Sequence, residues 1–167
     1  MNCFECEQEM KRETASKYPL PEFGLELEII GCPVWKCACG VVVPEIPNPE
    51  ALRDNLIKAL IVLPEPLDGD EILFLRKRMG LTGAKLAEVL GVSRVEVSRW
   101  ENDAVDISPH MDFKIRAETI DRLVPEEYRN RAKLALANVM HRVYKTVSVN
   151  APIQVPAVAS AGAFAFA

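Results

Sequence analysis

All five cysteines of the chain lie within its first 39 residues, and four of them form two short pairs. Cys3-Phe-Glu-Cys6 is one, and Cys37-Ala-Cys39-Gly40 is the other. Two tight turns, each presenting two thiolates, are what a tetrahedral structural zinc site needs. Gly40 allows the backbone twist that such a turn requires. The spacing predicts one zinc ion held by Cys3, Cys6, Cys37 and Cys39, with Cys32 as an alternative ligand. Four thiolates leave no open coordination position, so the metal is expected to be structural, replacing a core that so small a domain cannot build. A disulfide does not suit a chain expected in the cytoplasm. Thioredoxin-like chemistry needs a βαβ context that is missing here.

A second group of residues lies in Thr82–Asn102, TGAKLAEVLGVSRVEVSRWEN. Ala87 supplies the small residue at which two helices cross closely. Gly91 supplies a turn residue that tolerates positive φ. Leu86, Leu90, Val92, Val97 and Trp100 are spaced to face one core. Ser93 followed by Glu96 reads as a capping box, which starts the second helix at Arg94. That helix would present Ser93, Arg94, Val95, Ser98, Arg99 and Asn102 to the major groove of double-stranded DNA. Arg94 and Arg99 suit guanine edges, and Val95 suits a thymine methyl.

The segment RMGLTGAKLAEVLGVSRVEVSRWEN resembles the lambda-repressor-like (XRE-type) helix-turn-helix family. That family usually carries glutamine where this chain has Gly83. A cysteine-rich N-terminus ahead of such a motif is similar to MqsA-type antitoxins. The resemblance rests on Cys3-x-x-Cys6, the later pair followed by Gly40, and the motif from Leu81 to Asn102. It implies that a zinc-binding N-terminal domain neutralises a toxin protein while the C-terminal domain dimerises on operator DNA. MqsA-type proteins place an amide side chain where this chain has Val95, so their operator does not carry over.

The remaining sequence must position these groups. The chain has 167 residues, about half of them apolar, and a formal charge of −4. An acidic chain does not coat DNA in general. Over residues 76–99, however, Arg76, Lys77, Arg78, Lys85, Arg94 and Arg99 face only Glu88 and Glu96. Leu25, Leu27 and Ile29 read as a strand, and Val34–Lys36 with Gly40–Val43 as a small hairpin. Pro44, Pro47 and Pro49 mark a semi-rigid linker, and Leu52, Leu56, Ala59 and Leu60 a short helix ended by Pro64 and Pro66. Asp68 or Asp70 would cap a helix carrying Ile72, Leu75 and Met79. Ser108-Pro109 would open another, with Phe113, Ala117 and Ile120 in line. Pro125 opens a last helix to about Tyr144, and its Leu136, Val139, Met140 and Val143 offer an apolar side that suits a dimer seam or simply covers the monomer core. The tail from Val147 is apolar and uncharged, and is expected to be largely disordered.

The fold class expected is α+β. A small zinc-bound β domain occupies residues 1–46, and a linker and short helix occupy 47–66. An all-helical DNA-binding and dimerisation domain occupies 67–146, and a tail 147–167. No signal peptide or membrane span is expected, which suggests a cytoplasmic chain. The function expected is a sequence-specific DNA-binding repressor. It would bind an inverted-repeat operator as a homodimer, and act as the antitoxin of a toxin–antitoxin pair. The alternative is a stand-alone regulator whose zinc domain binds another partner or senses thiol oxidation through Cys32. No enzyme is expected, since no Ser/His/Asp set is suggested and His110 and His141 stand alone on predicted helices.

Overall fold

The computed structural model describes residues 1–20, 25, 27–46, 48–143 and 153–156. The architecture is α+β: a small sheet and a cysteine cluster precede a helical domain. The strands are β1 (Lys11–Leu20), β2 (Leu27–Lys36) and β3 (Val42–Pro44). The helices are α1 (Pro49–Ile61), α2 (Gly69–Arg78), α3 (Gly83–Leu90), α4 (Arg94–Glu101), α5 (Pro109–Leu123) and α6 (Glu126–Val143). A short β4 (Ile153–Pro156) follows. The chain forms two compact units, and the division falls within α1, after Leu56.

In the N-terminal unit β2 is the central strand. β1 pairs antiparallel along its whole length, from Lys11 opposite Lys36 to Leu20 opposite Leu27. On the other edge, antiparallel β3 pairs with Val34–Lys36 and parallel β4 with Leu27–Ile30. Leu27 and Ile29 are buried on β2, and Cys32 and Val34 continue the buried side after a shift of phase. The shift falls at Gly31, whose φ of +67° only glycine adopts without strain. β1 has no counterpart in the sequence expectation. Nine of its ten residues are exposed or half-buried and only Leu20 is buried, so it lacks the apolar alternation that signals a strand. β4 lies in the tail expected to be largely disordered; residues 147–152 and 157–167 are outside the described residues, as are Pro47 and Tyr144.

The helical unit begins with the last turns of α1, where Ile57, Leu60 and Ile61 are buried. Asn48 caps the start of α1, its Oδ1 accepting from the Ala51 amide at 3.0 Å. Asp68, not Asp70, caps α2, and with Glu71 it forms a complete capping box. The core takes Ile72, Phe74, Leu75, Leu86, Leu90, Val97, Trp100, Ile115, Ile120, Ala132 and Leu136. Two expectations for this core need correction. Val92 is only half-buried, and Phe113 is 41% exposed. The buried face of α5 is instead Asp112, Ile115, Arg116, Thr119 and Ile120. Its periodicity was hidden because polar residues occupy three of those five positions.

Arg116 explains that substitution of polar for apolar. It is fully buried and spends all five N–H donors. Its Nε and Nη2 bond to Asp112 at 2.7 and 3.3 Å. Its Nη1 reaches the carbonyls of Leu60 at 3.0 Å and Leu63 at 2.7 Å, and Nη2 that of Glu65 at 2.5 Å. The last carbonyls of a helix have no partner within it. Arg116 supplies them at the end of α1 and in the turn that follows, so one side chain fixes α1 to α5.

Candidate metal centre and nucleic-acid interface

The two cysteine turns have the same construction. The Cys3 carbonyl accepts from the Glu7 amide at 2.9 Å, and the Cys37 carbonyl accepts from the Gly40 amide at 3.0 Å. In each, the residue after the second cysteine has a positive φ, +61° at Glu7 and +97° at Gly40. Gly40 was legible as a twist-permitting residue; Glu7 was not, because nothing in its side chain favours that backbone.

The turns bring four sulfurs together, all within 4.8 Å of one another. Cys3 Sγ lies 3.6 Å from Cys39 Sγ, and Cys6 Sγ 3.3 Å from Cys37 Sγ. A tetrahedron with metal–sulfur bonds of about 2.3 Å has edges of about 3.8 Å. The cluster therefore fits a metal ion. Cys3 and Cys37 are buried and pack with Met10, and Trp35, Val41 and Val43 border them. Backbone donation from Cys39 brings the Cys37 thiol down to about 7. The Gln8 amide pulls Cys6 the same way, but bonds from the thiols of Cys37 and Cys39, with burial, push it up to about 12. Cys37 thus ionises readily, while Cys6 holds its proton until a cation displaces it. Cys32 is outside the cluster. It is buried on β2, donates to the Pro33 carbonyl at 3.4 Å, and burial raises its pKa.

In the helical unit, Thr82 caps α3 by accepting from the Lys85 amide. Gly91 ends α3 in the left-handed region at φ +73°, as the turn requires, and Ala87 is buried. Ser93 caps α4, accepting from the Glu96 amide at 3.1 Å. Only this half of the expected capping box forms; Glu96 leaves its carboxylate exposed. Helix α4 then buries Val97 and Trp100. Ser93, Arg94, Val95, Ser98, Arg99 and Asn102 are all exposed on it. Arg94 and Arg99 form no hydrogen bond or ion pair with a described residue. Asn102 is engaged, its Nδ2 donating to the Ser98 carbonyl at 2.6 Å.

Sequence reasoning missed the residues that hold α4 in place. Arg76 on α2 grips Glu101 through Nε and Nη2, and its Nη1 donates to the Leu81 carbonyl at 2.9 Å. It therefore belongs to the support of α4 and not to a free basic face. Lys85 likewise pairs with Glu88 at 2.8 Å. Gly69 lies so close to the end of α4 that a Cβ there would stand 2.7 Å from the Trp100 carbonyl oxygen. Its amide donates to Asp103 Oδ1 at 2.7 Å. Lys114 on α5 donates to the Leu90 carbonyl at 3.2 Å, closing the end of α3. The tryptophan-glutamate pair ending the motif was visible; its partner Arg76, 25 residues earlier, carried no local signal.

No described helix is long and apolar enough to cross a membrane. No curated protein and no solved structure matches the chain significantly. Residues 72–115, from within α2 to within α5, match a helix-turn-helix family model, and this domain supports a DNA-binding regulator.

Proposed function

We propose that the chain is a sequence-specific DNA-binding repressor that reads its operator with α4. The exposure of Arg94, Val95, Ser98 and Arg99 on a helix whose other side is anchored by Val97, Trp100 and Glu101 carries this reading. Two arginines without a partner among the described residues are the side chains best suited to guanine edges. Selection of binding duplexes from a random pool tests it. An enriched inverted repeat, bound more tightly than scrambled DNA at the same salt concentration, is the expected result. Failure to enrich any sequence overturns the reading.

The metal of the cysteine cluster is proposed to be zinc, because four thiolates at tetrahedral spacing suit it. When bound it would fix the two turns to each other, with Cys3, Cys6, Cys37 and Cys39 as its ligands. The chain is proposed to act as a homodimer in the cytoplasm. On α6, Ala132 and Leu136 are buried, while Leu134 is exposed and Val139 and Met140 are half-buried, which leaves apolar surface for a partner. Two linked half-sites give the affinity that one helix-turn-helix on an acidic chain lacks. The antitoxin role rests on the resemblance to MqsA-type proteins. Capture of the protein encoded beside this gene by the N-terminal unit tests it. The alternative of a thiol-sensing role for Cys32 would require its side chain, buried on β2, to become accessible to oxidant.

A further inference from the structure

Two open grooves flank the exposed face of α4, and they differ in chemistry. One, of about 450 Å³, is lined by Arg94 and Arg99 and by no acid, with Val95 on the ridge it shares with the other. The other, of about 380 Å³, is lined by Val95, Glu96, Arg99, Val105 and Asp106, among others. The first suits the N7 and O6 acceptors of a guanine edge. The second is poorer for such acceptors, because its two carboxylates repel them. It instead presents two exposed valines, Val95 at 64% and Val105 at 49%. Val105 is outside α4, in the segment that leads to α5. Neither valine contributes to the core.

In the major groove of DNA the apolar feature of a base edge is the 5-methyl group of a pyrimidine. Beside it lie amino donors, N6 of adenine or N4 of cytosine, which a carboxylate can accept from. We infer that the groove between Val95 and Val105 takes the 5-methyl group of a pyrimidine, while Arg99, which borders both grooves, bonds to a neighbouring guanine. Thymine and 5-methylcytosine offer the same methyl group. This inference rests on the DNA-reading role of α4 and specifies the base chemistry that the helix selects.

The test uses the full chain loaded with zinc and the duplex enriched from a random pool. Each thymine is replaced in turn by uracil, which removes only the methyl group. One thymine in each half-site should then cost about fourfold in affinity, the worth of one buried methyl. Val95→Ala and Val105→Ala should each shrink that penalty, read as the ratio of thymine to uracil affinity within each variant. At the same position 5-methylcytosine should bind more tightly than cytosine by a similar factor, and the tighter of the thymine and 5-methylcytosine duplexes identifies the natural source. Uracil that is neutral at every thymine, a penalty unchanged in both valine variants, or no gain from methylating cytosine overturns the inference. Those results leave the repressor reading standing; a pool that yields no enriched sequence overturns both.

Discussion

Replacing Arg116 by methionine keeps most of the side-chain volume and deletes every one of its polar contacts. Asp112 and Arg116 are both fully buried, so the substitution strips a buried carboxylate of its guanidinium. It also takes the guanidinium donors from the carbonyls of Leu60 at the end of α1 and of Leu63 and Glu65 in the turn that follows. Breaking a buried pair from one side costs about 3–5 kcal/mol. Asp112→Asn should cost less, about 1–3 kcal/mol, because the guanidinium keeps its carbonyl partners. The loss in the double variant should fall short of the sum of the two single losses, since the partners share one network. Urea unfolding followed by far-ultraviolet circular dichroism reports the helices. At an m-value of about 2 kcal/mol per molar, Arg116→Met should lower the midpoint by roughly 2 M. A loss below about 1 kcal/mol would place Arg116 with surface ion pairs and refute its role in joining α1 to α5.

Three further outcomes follow from the same geometry. Gly69→Ala puts a Cβ 2.7 Å from a backbone oxygen of Trp100, so it should cost about 1–3 kcal/mol of stability and weaken DNA binding by displacing the end of α4; urea unfolding and a binding titration read both. Burial raises the Glu71 carboxyl to about 7, so the folded state holds its proton more tightly than the unfolded state does. The stability linked to that proton is fully present below about pH 4.5 and is lost as pH rises through about 7, amounting to no more than about 3 kcal/mol. Glu71→Gln should therefore flatten the pH profile of unfolding between pH 5 and 8 relative to the native chain. Cys37→Ser, or a strong chelator, should release one equivalent of zinc and unfold the N-terminal unit while the helical dichroism persists; a metal content near zero in the folded native chain contradicts the metal assignment.

The helical half was legible where local chemistry marks it. Gly91, Ser93 and Asp68 act through their own backbone or the next turn, so their roles can be read within a few residues. The four clustered cysteines were legible for the same reason, since each pair carries its turn with it. What could not be read depends on distant partners. Arg116 looks like a surface residue until the end of α1, more than 50 residues earlier, is brought against it. Arg76 looks like part of a basic face until Glu101 removes it from that face. The strand β1 escaped because both of its sides are largely solvated. Phe113 misled because its apolar character pointed inward while the fold gave the interior to Asp112 and Arg116.

The claim on which the rest depends is that the exposed face of α4 reads bases. Binding of native and Arg99→Ala chains to the selected operator and to a scrambled duplex, at one salt concentration, tests it most directly. A bidentate arginine–guanine pair is worth about 1–3 kcal/mol of discrimination. The account predicts that Arg99→Ala weakens operator binding roughly tenfold or more and scrambled binding by no more than about twofold. Equal losses on the two duplexes would make Arg99 a phosphate contact and contradict the account.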